Sequence, residues 1–279
     1  MNVVFVFAHQ DDEIAFASRI RYALERGDRV DCICLTDGAP RVGARSEDEG
    51  SPGTTSHETP PHPPAAPSPL TRGEGGHPAA TAQIRDEESR RALARLGAAP
   101  LIVAPQERIA DGTLPEQLDR AFAFLESVAA HADEIVTLAW EGGHQDHDAA
   151  FLVAAAFARQ KGIRCLEMPL YNGEHTPGAF FRVLHPVGDG WTSRRITLRE
   201  RIHDILLARF YPSQRKSWLG LAPLMLLGRS RELTRVADLR RAATPPHRGS
   251  LLYERRFRYP YARFAGHAAR FLRSRAVPD

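Results

Sequence analysis

The run from Val3 to Ala8 and the residues that end it leave few folds open to this chain. Six apolar, mostly β-branched or aromatic residues are followed at once by His9, Gln10, Asp11, Asp12 and Glu13. An apolar run of this length with no alternation reads as a strand buried on both faces, the signature of a parallel sheet. The polar cluster then lies just beyond the strand's carboxyl end, which is where open α/β sheets bind ligands. A histidine and three carboxylates this close repel one another unless a cation or solvent intervenes. His9 and Asp12, three residues apart, can turn towards one divalent ion and leave Asp11 free.

A second stretch of the same kind lies far along the chain. The apolar segment Glu134 to Ala139 runs into Trp140-Glu141-Gly142-Gly143-His144-Gln145-Asp146-His147-Asp148, and a helix is expected from Ala149 to Arg159. His144 and His147, three apart at a helix start, can face one point. Imidazole and carboxylate donors suit zinc, and three protein ligands with an open position is the catalytic arrangement.

Ala8 to Glu13 resembles the Ala-His-Pro-Asp-Asp-Glu motif of the PIG-L/LmbE-like family of zinc-dependent N-acetylglucosaminyl deacetylases. Gly143 to His147 resembles that family's His-Pro-Asp-His motif. Thr36-Asp37-Gly38, the pair Arg85 and Glu88 with Leu96-Gly97, and Ser213-Gln214 are similar to the family as well. The likeness covers residues 3 to 172 apart from an insertion, and fades towards the C-terminus. Gln10 and Gln145 stand where the family usually has proline, so both turns lack the stiffening that proline gives.

The rest of the chain fits an α/β enzyme. Alternating strand and helix patterns up to Gly173 imply a doubly wound, mostly parallel, Rossmann-like sheet, with strands at Val3–Ala8, Val30–Leu35, Leu101–Ala104, Ile135–Ala139 and Ile163–Leu166. Helices are expected at Ile14–Glu25, Ala82–Leu96, Pro115–Ala130 and Arg199–Phe210. Residues 1–173 form the catalytic core. Residues 174–279 complete the domain as an irregular C-terminal cap over the substrate cleft, with Ala179–Leu184 and Arg194–Leu198 as an antiparallel pair at the sheet edge. No Gly-x-Gly-x-x-Gly follows the first strand, which argues against a dinucleotide. Thirty-seven basic against 34 acidic residues give a net charge of only +3, too little to argue for nucleic-acid binding. Three scattered cysteines form no pairing framework, and no segment reads as a signal peptide or transmembrane span, so a cytoplasmic protein is expected.

The chemistry that the resemblance implies is hydrolysis of an acetamide on an N-acetylated sugar or sugar conjugate. His9, Asp12 and His147 hold one zinc ion (or another divalent metal), Asp11 is the general base, and His144 stabilises the oxyanion. Asp146 orients His144 and holds its proton. Arg85 approaches the substrate. Asp37 bonds the metal loop or substrate, or is simply a turn residue before Gly38. A metal-dependent phosphoesterase and a non-catalytic sugar-binding relative are the other readings. Residues 40–82 are dominated by Pro, Gly, Ser, Thr, Ala and His, and cannot bury enough surface to offset ordering. Limited proteolysis is therefore expected to cut first between Gly43 and Pro78; protection there, with cleavage elsewhere, would show an ordered insertion.

Overall fold

The computed structural model describes residues 1–40, 78–99, 108–228 and 230–275. Its elements run β1 (Asn2–Phe7), α1 (Glu13–Glu25), β2 (Arg29–Cys34), β3 (Thr36–Pro40), α2 (Pro78–Leu96), β4 (Ile109–Asp111), α3 (Leu118–Val128), β5 (Glu134–Leu138) and α4 (Gln145–Lys161). There follow β6 (Arg164–Met168), β7 (Tyr171–Asn172), β8 (Arg182–Val183), β9 (Thr192–Arg195), α5 (Leu198–Leu206), α6 (Arg215–Gly228), β10 (Arg231–Val236), α7 (Leu252–Phe257) and α8 (Tyr261–Ser274). The main sheet has the order β2-β1-β5-β6-β10-β9. Its first four strands are parallel, and β10 and β9 are added antiparallel. The fold is mixed α/β with a mostly parallel central sheet.

The strand order fixes where a ligand can sit. From β1 the chain crosses to β2 on one side, and from β5 it crosses to β6 on the other. Right-handed crossovers in opposite directions put α1 and α4 on opposite faces. They part between β1 and β5, so a crevice opens at the carboxyl ends of these two neighbours. Register places Val6 beside Thr137, so His9 and the His144 loop leave the sheet side by side. Phe5, Phe7 and Val4 on β1 are wholly buried. On α4, 14 residues from Gln145 to Ala158 are buried, which makes it the central helix of its layer. Asp146 and Asp148 in its first turn, Arg159 and Lys161 in its last, and left-handed Gly162 at its end all suit a helix terminus.

Several boundaries differ from the sequence reading. Helix α2 begins at Pro78 rather than Ala82, because proline is well placed in a first helical turn. The expected strand Leu101–Ala104 and residues 41–77 of the insertion lie outside the described residues. The two expected edge strands do not pair with each other. Arg182–Val183 pairs with Tyr171–Asn172, and Thr192–Arg195 pairs with β10, from a segment whose sequence gave no strand signal. Charged cross-strand partners hide that pairing: Arg194 binds Glu232 at 2.9 Å, and Arg235 binds Glu167 at 2.8 Å. Cys32, Cys34 and Cys165 are buried free thiols. Among the described residues no helix is long and apolar enough to cross a membrane.

Phe5 lies between Cys32 on β2 and Val136 on β5. Phe5→Ala should therefore cost about 3–5 kcal/mol in denaturant unfolding. A loss under 1 kcal/mol would show that the centre of the sheet is not the core the burial describes.

Candidate active site

The turn after β1 is built around Asp12. Its Oδ2 accepts the backbone N–H groups of Ala8 (3.1 Å) and His9 (2.9 Å), which folds the turn back on the strand. Its Oδ1 is thereby left facing His147 Nε2 at 3.4 Å. Burial opposes charge on Asp12, but His147 and His9 beside it bring the carboxyl down to about 2. His9 Nδ1 lies 3.9 Å from Asp12 Oδ2, and the other nitrogen, Nε2, lies 3.1 Å from both Asp111 and Asp146. Burial works against a proton on His9, yet Asp111 above all, with Asp146 and Asp12, holds its pKa well above the ordinary value. Ring nitrogens of His9, His144 and His147 come within 4.8 Å of one another.

Asp11 occupies different ground. Its backbone is at φ 99°, in the region that favours glycine. Such strain persists only where surrounding bonds over-determine it, and three do so here. The Asp11 N–H donates to Glu13 Oε2 at 2.9 Å, Arg85 Nη2 donates to Asp11 Oδ1 at 3.0 Å, and Trp218 Nε1 donates to Oδ2 at 3.2 Å. Burial pushes the Asp11 carboxyl up to about 7, although Arg85 pulls the other way. Glu13 does not face the cleft: besides Asp11 it accepts Ser89 Oγ at 2.8 Å and the Tyr211 hydroxyl.

His144 caps α4, and its Nδ1 accepts the Asp146 backbone N–H at 3.1 Å. The neutral ring therefore carries its proton on Nε2. Burial, with His9 and His147 nearby, holds His144 well below its ordinary pKa, so that neutral form is the resting one. This corrects the expected role of Asp146. Its carboxylate is not on His144 but on Gly112 N–H (2.6 Å), Leu114 N–H (3.1 Å) and His9. Any orientation of His144 by Asp146 runs through the peptide.

Arg85 is also placed differently from the expectation. It is buried, and its guanidinium is taken up by Asp11 and the carbonyls of Gln10 and Gly38, so it braces Asp11. Asp37 is half-buried and accepts the Ala39 N–H at 2.9 Å, as a turn residue does, and a backbone bond from Asp111 as well. Asp111 was missed. In the sequence it is the first residue of an Asp-Gly turn; only the pairing of β4 with β3 carries it to His9. Trp218 and Tyr171 were missed too. Trp218 comes from α6, and the Tyr171 ring sits 5.0 Å from that of His147.

The two glutamines do specific work. Gln10 is buried and donates to Asp86 on α2 at 2.8 Å, while Asp86 also binds Arg108. A side-chain bond thus fastens the turn that proline would stiffen. Gln145 opens α4 and reaches towards the Gly112 carbonyl at 3.5 Å.

A protein-family model described as PIG-L, GlcNAc-PI de-N-acetylase, matches residues 4–158. The chain belongs to the PIG-L family. Both motif loops of this PIG-L chain fall within that span. No curated protein sequence matches it. A deacetylase triple mutant from the teicoplanin biosynthetic pathway is similar in structure, at 19% identity over 85% of this chain and 97% of that one, with a TM-score of 0.55. The A40926 pseudoaglycone deacetylase matches at 18% identity, 84% and 95% coverage and a TM-score of 0.55. The N,N′-diacetylchitobiose deacetylase of Pyrococcus horikoshii matches at 16% identity, 88% and 84% coverage and a TM-score of 0.51. At these identities the likeness is one of fold.

Gly143 ties the second motif to β7. A Cβ there would meet the Tyr171 carbonyl oxygen at 1.9 Å, a backbone atom that cannot turn aside. Gly143→Ala is expected to cost about 1–3 kcal/mol in unfolding, as overpacking does, and to weaken metal binding with it. Unchanged values for both would show that β7 yields freely.

Proposed function

We propose that this PIG-L chain is a divalent-metal-dependent N-deacetylase, with zinc the best-suited ion, acting on an N-acetylated sugar of the N-acetylglucosaminyl type or a conjugate of one. The observation that carries the reading is the division of labour at the end of β1. Asp12 turns one oxygen to His147, while its neighbour Asp11 is held apart by Arg85 and Trp218. Family membership and the fold shared with sugar and glycopeptide deacetylases support the same reading.

The donor set fits a metal. His9 Nε2 is engaged by Asp111 and Asp146, which leaves Nδ1 to act as a ligand, and such carboxylate support is typical behind a metal-bound histidine. His147 faces Asp12 through Nε2, and its Nδ1 is buried without a partner. His9, Asp12 and His147 would hold the ion. Bound there, it supplies Lewis acidity, which lowers the pKa of water and polarises an amide carbonyl.

The remaining work belongs to side chains. Asp11 takes a proton from the attacking water and delivers it to the departing nitrogen, giving acetate and an amine. Arg85 and Trp218 each fix one oxygen of Asp11, so its remaining lone pairs keep one direction. His144 donates its Nε2 proton to the oxyanion that develops on the carbonyl. Arg85 acts through Asp11 and is a positioning residue.

One observation favours a second reading. His9, Asp111 and Asp146 form another group with donor atoms within 4.8 Å, as a two-metal phosphoesterase requires. Metal analysis separates the two: one ion per chain, with acetate released from N-acetylglucosamine conjugates, supports deacetylation. Two ions per chain with phosphate release would replace it.

The roles of the adjacent aspartates can be tested directly. Asp12→Asn should weaken zinc affinity and activity together. Asp11→Asn should keep the zinc and lower kcat by roughly 10²–10⁴, the usual contribution of a positioned acid–base group. If Asp11→Asn strips the metal while Asp12→Asn retains it, the assignments are exchanged.

A further inference from the structure

We propose that the outer face of α6 is a docking surface for an anionic lipid surface, and that it presents the mouth of the cleft to that surface. Helix α6 is apolar on both faces. It buries Trp218 and Met225, yet leaves Leu219 68%, Leu224 45% and Leu227 83% exposed, with Pro223 also exposed. Leu219, Pro223 and Leu227 recur every four residues and form one stripe. Exposed apolar stripes of this kind mark an interaction surface. At 14 residues the helix is roughly 21 Å long, well short of the roughly 30 Å of a bilayer's hydrocarbon core. It can lie on a lipid surface but cannot span one.

Charge selects the occupant. The only ionised groups on α6 are Arg215 and Lys216, both exposed in its first turn. Cations there oppose the helix dipole, so they do not serve the helix. Exposed cations at one end of an apolar stripe complement anionic headgroups. A second copy of the chain would bring like charges together. Residues 41–77 offer only Val42 and Leu70 as large apolar side chains with which to cover the leucines.

The helix is rooted in the cleft. Tyr211 binds Glu13, the Ser213 N–H binds Glu88 at 2.9 Å, and Trp218 binds Asp11. Lipid contact on the outer face therefore lies one helix thickness from the catalytic carboxylate.

The test is co-sedimentation of the full chain with phosphatidylcholine vesicles, with and without phosphatidylglycerol. Binding is expected with the anionic vesicles only, and should fall with added salt. Leu219→Glu with Leu227→Glu should abolish it, and both side chains are too exposed for the change to threaten folding; circular dichroism confirms that. Arg215→Gln with Lys216→Gln should weaken binding roughly 30-fold, at about 1 kcal/mol per charge. The proposal is overturned if the wild type ignores anionic vesicles, or if the double glutamate variant binds as well as wild type. It is equally overturned if, without lipid, the wild type is a dimer that this variant converts to monomer. That last result would assign the face to a second copy.

Discussion

The pairing of β1 with β5 is the constraint on which the rest of the molecule depends. Two strands some 130 residues apart in sequence lie side by side, and each ends in a loop of ionisable groups. Neither loop is complete alone. The first supplies Asp12 and Asp11, the second supplies His147 and His144, and His9 bridges them through its contact with Asp146. A one-residue slip between β1 and β5 would turn Phe5 and Val136 out of register and part Asp12 from His147. Close packing on both faces of β1 resists that slip, since every residue from Val4 to Phe7 is fully buried and a shift would misfit each side chain. Core packing and the geometry of the candidate site are therefore set by the same interaction.

Crowding so many charges at one crevice has a cost, and the structure meets it with separate partners for each carboxylate. Asp12 uses backbone N–H groups and His147; Asp146 uses the amides of Gly112 and Leu114; Glu13 uses Ser89 and Tyr211; Asp11 uses Arg85 and Trp218. The outcomes diverge accordingly. Asp12 is drawn down to about 2, while burial lifts Asp11 to about 7. Adjacent, chemically identical residues thus become a permanent anion and a group that exchanges protons near neutrality. That divergence follows from which neighbours each one faces, and the positive φ of Asp11 is what turns it the other way.

What the sequence discloses follows the range of the interactions. Strands β1, β2, β5 and β6 are legible because a buried parallel sheet demands largely apolar runs, and the motif residues because they follow such runs closely. Asp111 is not legible: Asp-Gly has a sufficient local explanation as a turn, and its approach to His9 depends on the pairing of β4 with β3. Strand β10 is hidden because its partners are charges on β9 and β6 rather than an apolar face. The proton on His144 is set by a backbone donor, Asp146 N–H, which side-chain identities do not record. Arg85 shows the converse. Its placement near the site is visible in the helix pattern, but whether a guanidinium faces substrate or braces a carboxylate depends on the Gln10 and Gly38 carbonyls that it meets.

The C-terminal third carries the least sequence signal and yet makes contacts that define the cleft. Tyr211, Ser213 and Trp218 lie within eight residues of one another and bind Glu13, Glu88 and Asp11 in turn. All three acids belong to α1, α2 or the loop before α1, so this short segment clamps the first motif from outside. Gln10, bonded to Asp86 on α2, clamps it from the other side. A turn that lacks the family's proline is held by tertiary bonds instead of by local stiffness. Stiffness of that kind depends on α2 and on the segment before α6 staying in place. Motion of α6 would therefore reach Asp11 directly through Trp218, which makes Asp11 more sensitive than His9, Asp12 and His147 to whatever contacts the outer face of that helix.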